Sequence, residues 1–115
     1  MDSRFYVSLE AARLLKEKGY DERTDFFIDE YGIWKWDNRA FLDLPCPTKD
    51  EAIDWLESKG IYIDLLYTLD GKWDCAITIP SRGIIIDDIE LSNTRLEAEE
   101  AAIIKALEML NRKEE

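Results

Sequence analysis

The sequence contains no histidine, and this absence removes most of the common catalytic arrangements. Without an imidazole there is no Ser-His-Asp or Cys-His arrangement, no histidine general base and no histidine ligand for a metal ion. Two cysteines cannot build a four-thiolate zinc site. Among five glycines, no glycine-rich phosphate loop of the common spacings occurs. These absences argue against an enzyme, and we expect no cofactor.

The chain also lacks long apolar runs and a cysteine framework. No stretch approaches the ~20 apolar residues that cross a bilayer, and the N-terminal residues lack the apolar segment of a signal peptide. The lone cysteines, Cys46 and Cys75, have no CxxC spacing and do not resemble a disulfide scaffold. We therefore expect reduced thiols, a cytoplasmic location and no membrane partner.

Acidic residues dominate the charged positions. The chain has 26 acidic and 15 basic residues, which gives a formal net charge of −11. Lysine and arginine bind phosphate backbones by releasing counterions, so this balance disfavours nucleic acid as a partner. The charge is compatible with solubility alone, with a basic partner, or with mimicry of a polyanion.

The order of elements predicts an α+β fold in a single domain, residues 1–115. Ser8 is a good cap for a first helix that ends at Gly19 and that we expect to be short and peripheral. Strand-like runs at 26–29 and 33–36 complete a helix-plus-hairpin extension, residues 1–45. Residues 46–115 form an αβββα core, in which helices pack on one face of a small antiparallel sheet. Two T-x-x-E capping boxes, at Thr48 and Thr94, begin its helices.

Alternation predicts the register of the core hairpin. A two-residue loop would place Asp64 opposite Ile77, whereas a three-residue loop, residues 69–71, pairs Leu65 with Cys75. A one-residue slip moves every side chain to the other face, so the three-residue loop is favoured. Gly71 then adopts the left-handed conformation, and Cys75 faces the core.

Aromatic residues crowd the first hairpin. Alternation buries only one face of a hairpin, and Trp34 and Trp36 share a side. The hairpin either covers the second face of the core sheet or offers a patch for protein binding, since large aromatics anchor interfaces. The candidate interaction residues are Trp34, Trp36, Phe27 and Phe41.

Carboxylates are the remaining chemical resource. Asp87, Asp88 and Glu90 follow an apolar strand, a position used by metal-dependent hydrolases to hold divalent ions. Asp64 and Asp74 lie diagonally on one sheet face in the favoured register, about 7 Å apart. The simpler interpretation is a solvated strand end, because no nearby lysine completes a nuclease signature.

Three stretches together resemble a family of small uncharacterised proteins of bacteriophages and prophage-like regions of gut bacteria. These stretches are SLEAARLLKEKGYDE (8–22), PT (47–48) leading to AIDWL (52–56), and EAEEAA (97–102) before AL (106–107). The resemblance implies a phage-related setting in the cytoplasm of a bacterial host cell. It brings no known activity or catalytic residue.

The second segment also resembles double-stranded-RNA-binding domains in element order. Those domains place lysines at the start of the last helix to grip phosphates. The corresponding stretch here, 94–100, is acidic. The similarity therefore implies a fold and not an RNA-binding activity.

Three functional hypotheses follow. The leading one is a non-enzymatic interaction or accessory protein of phage origin, which binds an unknown protein, or a second copy of itself, through the aromatic hairpin or the acidic surface. The second is a nucleic-acid-related module, either an RNA binder with a basic edge or an acidic polyanion mimic. The third is a metal-dependent hydrolase. The basic edge would consist of Lys72, Arg82 and Arg95.

Overall fold

The computed structural model describes residues 3–35 and 44–110. Within these ranges the helices are α1 (Leu9–Glu17), α2 (Lys49–Ser58) and α3 (Arg95–Met109). The strands are β1 (Phe26–Asp29), β2 (Gly32–Lys35), β3 (Leu44–Pro45), β4 (Tyr62–Tyr67), β5 (Trp73–Ile79) and β6 (Ile84–Ile86). They form two antiparallel three-stranded sheets, which we call the first sheet (β2-β1-β3) and the second sheet (β4-β5-β6).

Side-chain caps set where each helix begins. The Ser8 hydroxyl accepts a hydrogen bond from the Ala11 N–H at 3.1 Å, as expected for the N-cap of α1. Both predicted capping boxes are confirmed, Thr48 with Glu51 and Thr94 with Glu97. Each box satisfies backbone N–H groups that the first helical turn leaves without an intrahelical acceptor.

The second sheet has the predicted register. Leu65 pairs with Cys75 across β4 and β5, and the Thr68 N–H donates to the Lys72 carbonyl at 2.8 Å to close the three-residue loop. Gly71 has φ +80°, the left-handed conformation that the bulged turn requires. Cys75 is 3% exposed, so its predicted place on the core face is confirmed.

The helices α2 and α3 cover one face of the second sheet. Ile77 and Ile79 of β5 are buried beneath them, together with Ile103 and Leu107 of α3. The expected α+β class, with helices on one face of a small antiparallel sheet, is confirmed.

The first sheet contains a strand that the sequence did not indicate. Pro45 pairs with Phe27 at the edge of this sheet, and the Cys46 N–H donates to the Phe26 carbonyl at 3.0 Å. Proline is tolerated on an edge strand, where its missing N–H removes no ladder bond. The hairpin therefore has a third strand of its own, and it leaves the outer face of the second sheet exposed at Leu66 and Ile85.

The expectation that α1 is peripheral is wrong. Ala11, Ala12 and Leu15 have no exposed surface, and α1 packs against α3. Alanines allow two helix axes to approach closely, so a narrow apolar stripe is enough to bury this helix. The Glu100 carboxylate of α3 also accepts hydrogen bonds from the Ser8 hydroxyl and, at 3.3 Å, from the Ser8 N–H.

One buried cluster joins the two predicted segments. Val7, Leu15 and Ile28 from the first segment lie in the same apolar cluster as Ile77 and the buried face of α3. A bridge between Tyr6 and Thr48 ties the segments at the backbone. None of the helices in the described ranges has the length and apolar character needed to cross a membrane.

Candidate interaction surface

The outer face of the second sheet is the side that α2 and α3 do not cover. Its side chains alternate with the buried ones along β4 and β5, and the register brings them together in three cross-strand rows. The rows are Leu66 with Asp74, Asp64 with Ala76, and Tyr62 with Thr78 and Ile85. We call these seven residues the outer sheet face.

Apolar side chains dominate the exposed part of the outer sheet face. Ile85 is 68% exposed, Leu66 is 65% exposed and Tyr62 is 40% exposed. A sheet with one solvated face ordinarily places polar residues there. Three large apolar side chains exposed on one such face depart from this pattern, and exposed apolar surface is a common feature of interaction sites.

The sequence reasoning missed this face, although a signal was present. Tyr62 and Leu66 have the outward parity of β4, where polar residues are expected. In the run from Ile84 to Ile86, alternation forces Ile85 to face away from the other two. The alternation of inward and outward positions along the strands, rather than the density of aromatic residues, is the signal that identifies these three residues.

Two carboxylates lie among the apolar side chains. Asp64 is exposed between Tyr62 and Leu66 on β4. Asp74 lies opposite Leu66, so the two carboxylates are diagonal neighbours as predicted. The Asp74 Oδ1 accepts a hydrogen bond from the Cys75 N–H at 2.8 Å. The face thus combines exposed apolar side chains with negative charge.

The aromatic candidates of the first hairpin are only partly described. Trp34 is 48% exposed and lies opposite Phe27, which is half-buried. The Trp34 indole Nε1 donates to the Asp29 Oδ1 at 3.0 Å, and this bond is the main reason that the pKa of Asp29 lies below its usual value. Trp36 and Phe41 lie outside the described residues.

The metal candidates Asp87, Asp88 and Glu90 are all exposed. Asp88 lines an open cleft with Glu10 of α1 and several residues of α3. In residues 3–35 and 44–110, no three carboxylate or thiolate groups lie close enough together to hold a metal ion.

The three basic residues do not form one edge. Arg95 lies over the Trp73 ring, 5.6 Å from its centroid, and its Nε contacts Glu99 at 3.3 Å. Lys72 donates to the Asn93 side chain nearby. Arg82 instead donates to the carbonyl of Met109, at the other end of α3 and about 20 Å from Arg95 by helix rise. A continuous basic strip for RNA is therefore absent among these residues.

Both cysteines are buried and unpaired. Burial, with a smaller contribution from Glu100, raises the pKa of Cys46 to about 12. Burial, reinforced by Asp74, also raises the pKa of Cys75. The thiolate is the nucleophilic form of cysteine, and a raised pKa keeps both thiols protonated near neutral pH. Their burial also keeps them away from a substrate, so neither cysteine is suited to act as a nucleophile.

In comparisons with known proteins, no family model matches the chain, and neither a curated protein nor a solved structure is significantly similar to it. The site must therefore be interpreted from its own geometry.

Proposed function

We propose that this chain is a non-enzymatic interaction protein that docks a basic protein on the outer sheet face. The observation that supports this most strongly is the exposure of Leu66 and Ile85, about two-thirds each, on one side of a regular sheet. Stable interfaces combine apolar contacts with polar ones. The outer sheet face offers both kinds of side chain, with Asp64 and Asp74 beside the apolar residues.

Charge supports a basic partner over a second copy of the same chain. Two copies would each bring a formal charge of −11, and their mutual repulsion opposes association. A partner surface that presents lysine or arginine together with apolar side chains would meet both features of the face. Complementary potentials also speed the encounter between such surfaces.

The first hairpin is a second contact region in this proposal. Trp34 has half of its surface exposed and a ring held by Asp29. Aromatic side chains held in one orientation lose little entropy when they bind, and tryptophan is common among residues that dominate binding energy.

The phage-related setting belongs to the same proposal. It follows from the resemblance of stretches 8–22, 47–56 and 97–107 to small phage and prophage proteins. An accessory protein of that kind acts on host or phage proteins inside the bacterial cell. Genes adjacent to the coding sequence would test the setting, since phage genes are expected there.

Affinity capture with matched variants tests the docking surface. The variant Leu66→Ser/Ile85→Ser removes the two most exposed apolar side chains of the outer sheet face. The control Leu69→Ser/Leu91→Ser removes two exposed leucines that lie outside the face. We expect the wild-type protein and the control variant to capture a basic protein, which high salt should release. The Leu66→Ser/Ile85→Ser variant should no longer capture that protein.

The outcomes separate clearly. Equal retention by both variants, with urea unfolding showing that each is folded, would contradict docking on this face. A wild-type protein that elutes as a monomer and captures no partner from host or phage-infected cells would contradict the interaction function itself.

A further inference from the structure

A second feature of the molecule lies away from the outer sheet face, between α2 and residues 20–24. Here a cleft of about 330 Å³ has two aromatic rings in its lining. Tyr20 and Trp55 meet edge to face with ring centroids 5.3 Å apart. They are 8% and 6% exposed, so both rings are held firmly by their surroundings.

Carboxylates surround these rings. Glu22, Glu51 and Asp54 line the cleft, and Arg23 is the single cationic residue in its lining. Burial and then the charges of Glu51, Glu22 and Asp21 raise the pKa of Tyr20 to about 12. Tyr20 itself belongs to the lining of the cleft, together with Glu22 and Glu51.

The Tyr20 hydroxyl is also left without a partner. Among the described residues, no group forms a hydrogen bond with it, although Tyr20 is more than nine-tenths buried. Buried polar groups nearly always have a hydrogen-bond partner, and a protein that leaves one open at a cleft has an acceptor and donor ready for a ligand. An N–H donor from outside would satisfy this oxygen.

The chain already places one cation on this aromatic pair. The Lys59 Nζ lies 5.3 Å from the centroid of the Trp55 ring. Lys59 is exposed, on the C-terminal side of α2. Its position shows that a cation is compatible with the electrostatics of this ring, since aromatic faces attract ammonium and guanidinium groups.

We propose that this cleft receives an arginine side chain from the basic partner, with the guanidinium between the carboxylates and against the Tyr20–Trp55 pair. A guanidinium is planar, carries five N–H donors and stacks on aromatic rings. It therefore matches the carboxylate rim and the unsatisfied hydroxyl at once, and it can contact the small part of the ring surface that stays exposed. Lysine offers a more strongly hydrated point charge and lacks the planar fork of N–H donors that could reach several carboxylates and the hydroxyl together.

The proposal rests on the proposed function for the source of the arginine, but it uses a different part of the surface. Residues 20–24 and α2 contribute the cleft, whereas β4, β5 and β6 contribute the outer sheet face. Substitution of Leu66 and Ile85 by serine should therefore leave arginine binding in the cleft unchanged. This separation allows the two proposals to fail independently.

A peptide titration followed by NMR tests the cleft. The probe is an acetylated, amidated tri-arginine peptide, and the matched controls are tri-citrulline, which is isosteric and neutral, and tri-lysine. We expect saturable shifts of the Trp55 indole N–H with tri-arginine, weaker shifts with tri-lysine and none with tri-citrulline. Arginine amide, a free small molecule, should bind at the same place more weakly than the peptide.

Charge-matched variants separate a site from general acidity. Glu22→Gln/Asp54→Asn removes two cleft carboxylates and leaves Glu51 in its capping box, whereas Asp88→Asn/Glu90→Gln removes two exposed carboxylates elsewhere. The first double variant should weaken tri-arginine binding about tenfold, and the second less than about twofold. Tyr20→Phe, which retains the ring packing, should weaken binding about threefold.

Several results would overturn the proposal. Equal losses in the two double variants would show attraction to the overall charge and not to the cleft. Binding of tri-citrulline, or tighter binding of tri-lysine than of tri-arginine, would exclude guanidinium recognition. Shifts confined to the outer sheet face, with the Trp55 signal unmoved, would exclude the cleft as the site.

Discussion

The two sheets of this protein have similar architecture and different outer faces. Each has three antiparallel strands and turns one apolar face inward. The first sheet presents Trp34, whose indole is tied to Asp29. The second presents the aliphatic Leu66 and Ile85, which are both about two-thirds exposed. Aromatic density along the chain thus points to the first sheet, while exposed apolar area in a regular array lies on the second.

The largest effect should distinguish the inner face of the second sheet from its outer face. Ile77 is fully buried on β5, and Ile77→Ala should lower the free energy of unfolding by about 2–5 kcal/mol, because it removes apolar contacts and leaves a cavity. Leu66→Ala, on the outer face, should change it by less than about 0.5 kcal/mol. Urea unfolding measures both. Similar losses for the two variants would mean that Leu66 is packed.

A smaller effect should appear where the α1 region joins the rest of the molecule. Glu100→Ala removes the carboxylate that accepts from the Ser8 N–H and hydroxyl, and we expect a loss of about 1–3 kcal/mol. Glu108→Ala, at an exposed position on the same helix, is the control and should be nearly neutral. If thermal unfolding shows equal losses, the contact between Glu100 and Ser8 contributes nothing to stability.

The two hairpin turns offer a sharper comparison. Gly71→Ala should cost about 1–2 kcal/mol, because φ is +80° and an added Cβ would meet only the Tyr67 hydroxyl at 3.6 Å. Gly32 has φ +142°, far outside the left-handed well that alanine tolerates, so Gly32→Ala should cost more. Urea unfolding of the two variants gives the order. A larger loss for Gly71→Ala would reverse this ranking of the turns.

The smallest effect concerns the Asp29 carboxylate. Its folded-state pKa is lowered from 3.8, first by the Trp34 indole and then by the N–H groups of Tyr31 and Gly32. A lowered pKa contributes stability that is present above pH 3.8 and is lost as the pH falls through the folded-state value. In an NMR titration, the Trp34 indole N–H should shift with a midpoint below 3.8, and the Trp55 indole should not follow it. A midpoint at 3.8 or higher would contradict the hydrogen bond.

Local sequence signals predicted much of the fold correctly. Capping at Ser8, Thr48 and Thr94 located the start of each helix, because the cap depends on residues within one turn. Alternation predicted the register of β4 and β5, because a slip by one residue would have turned buried side chains such as Cys75 and Ile77 toward solvent. Both signals act between neighbours in the chain or between strands joined by a short loop.

The failures share a different origin. The burial of α1 depends on the alanine-rich face of α3, about 90 residues later, and the strand at Leu44–Pro45 depends on pairing with β1. Neither contact leaves a local pattern. The aromatic cleft was missed for the same reason, since Tyr20 and Trp55 come from separate elements.

By itself, the sequence determined the class of fold, the helix starts, the hairpin register and an acidic surface without histidine chemistry. These follow from propensity, capping, alternation and charge, which act locally or sum over the whole chain. Only the tertiary structure decided which apolar side chains stay exposed and which carboxylates line a cleft together with the Tyr20 and Trp55 rings. Exposure at Leu66 and Ile85 depends on which layers pack together, and packing is a property of distant elements.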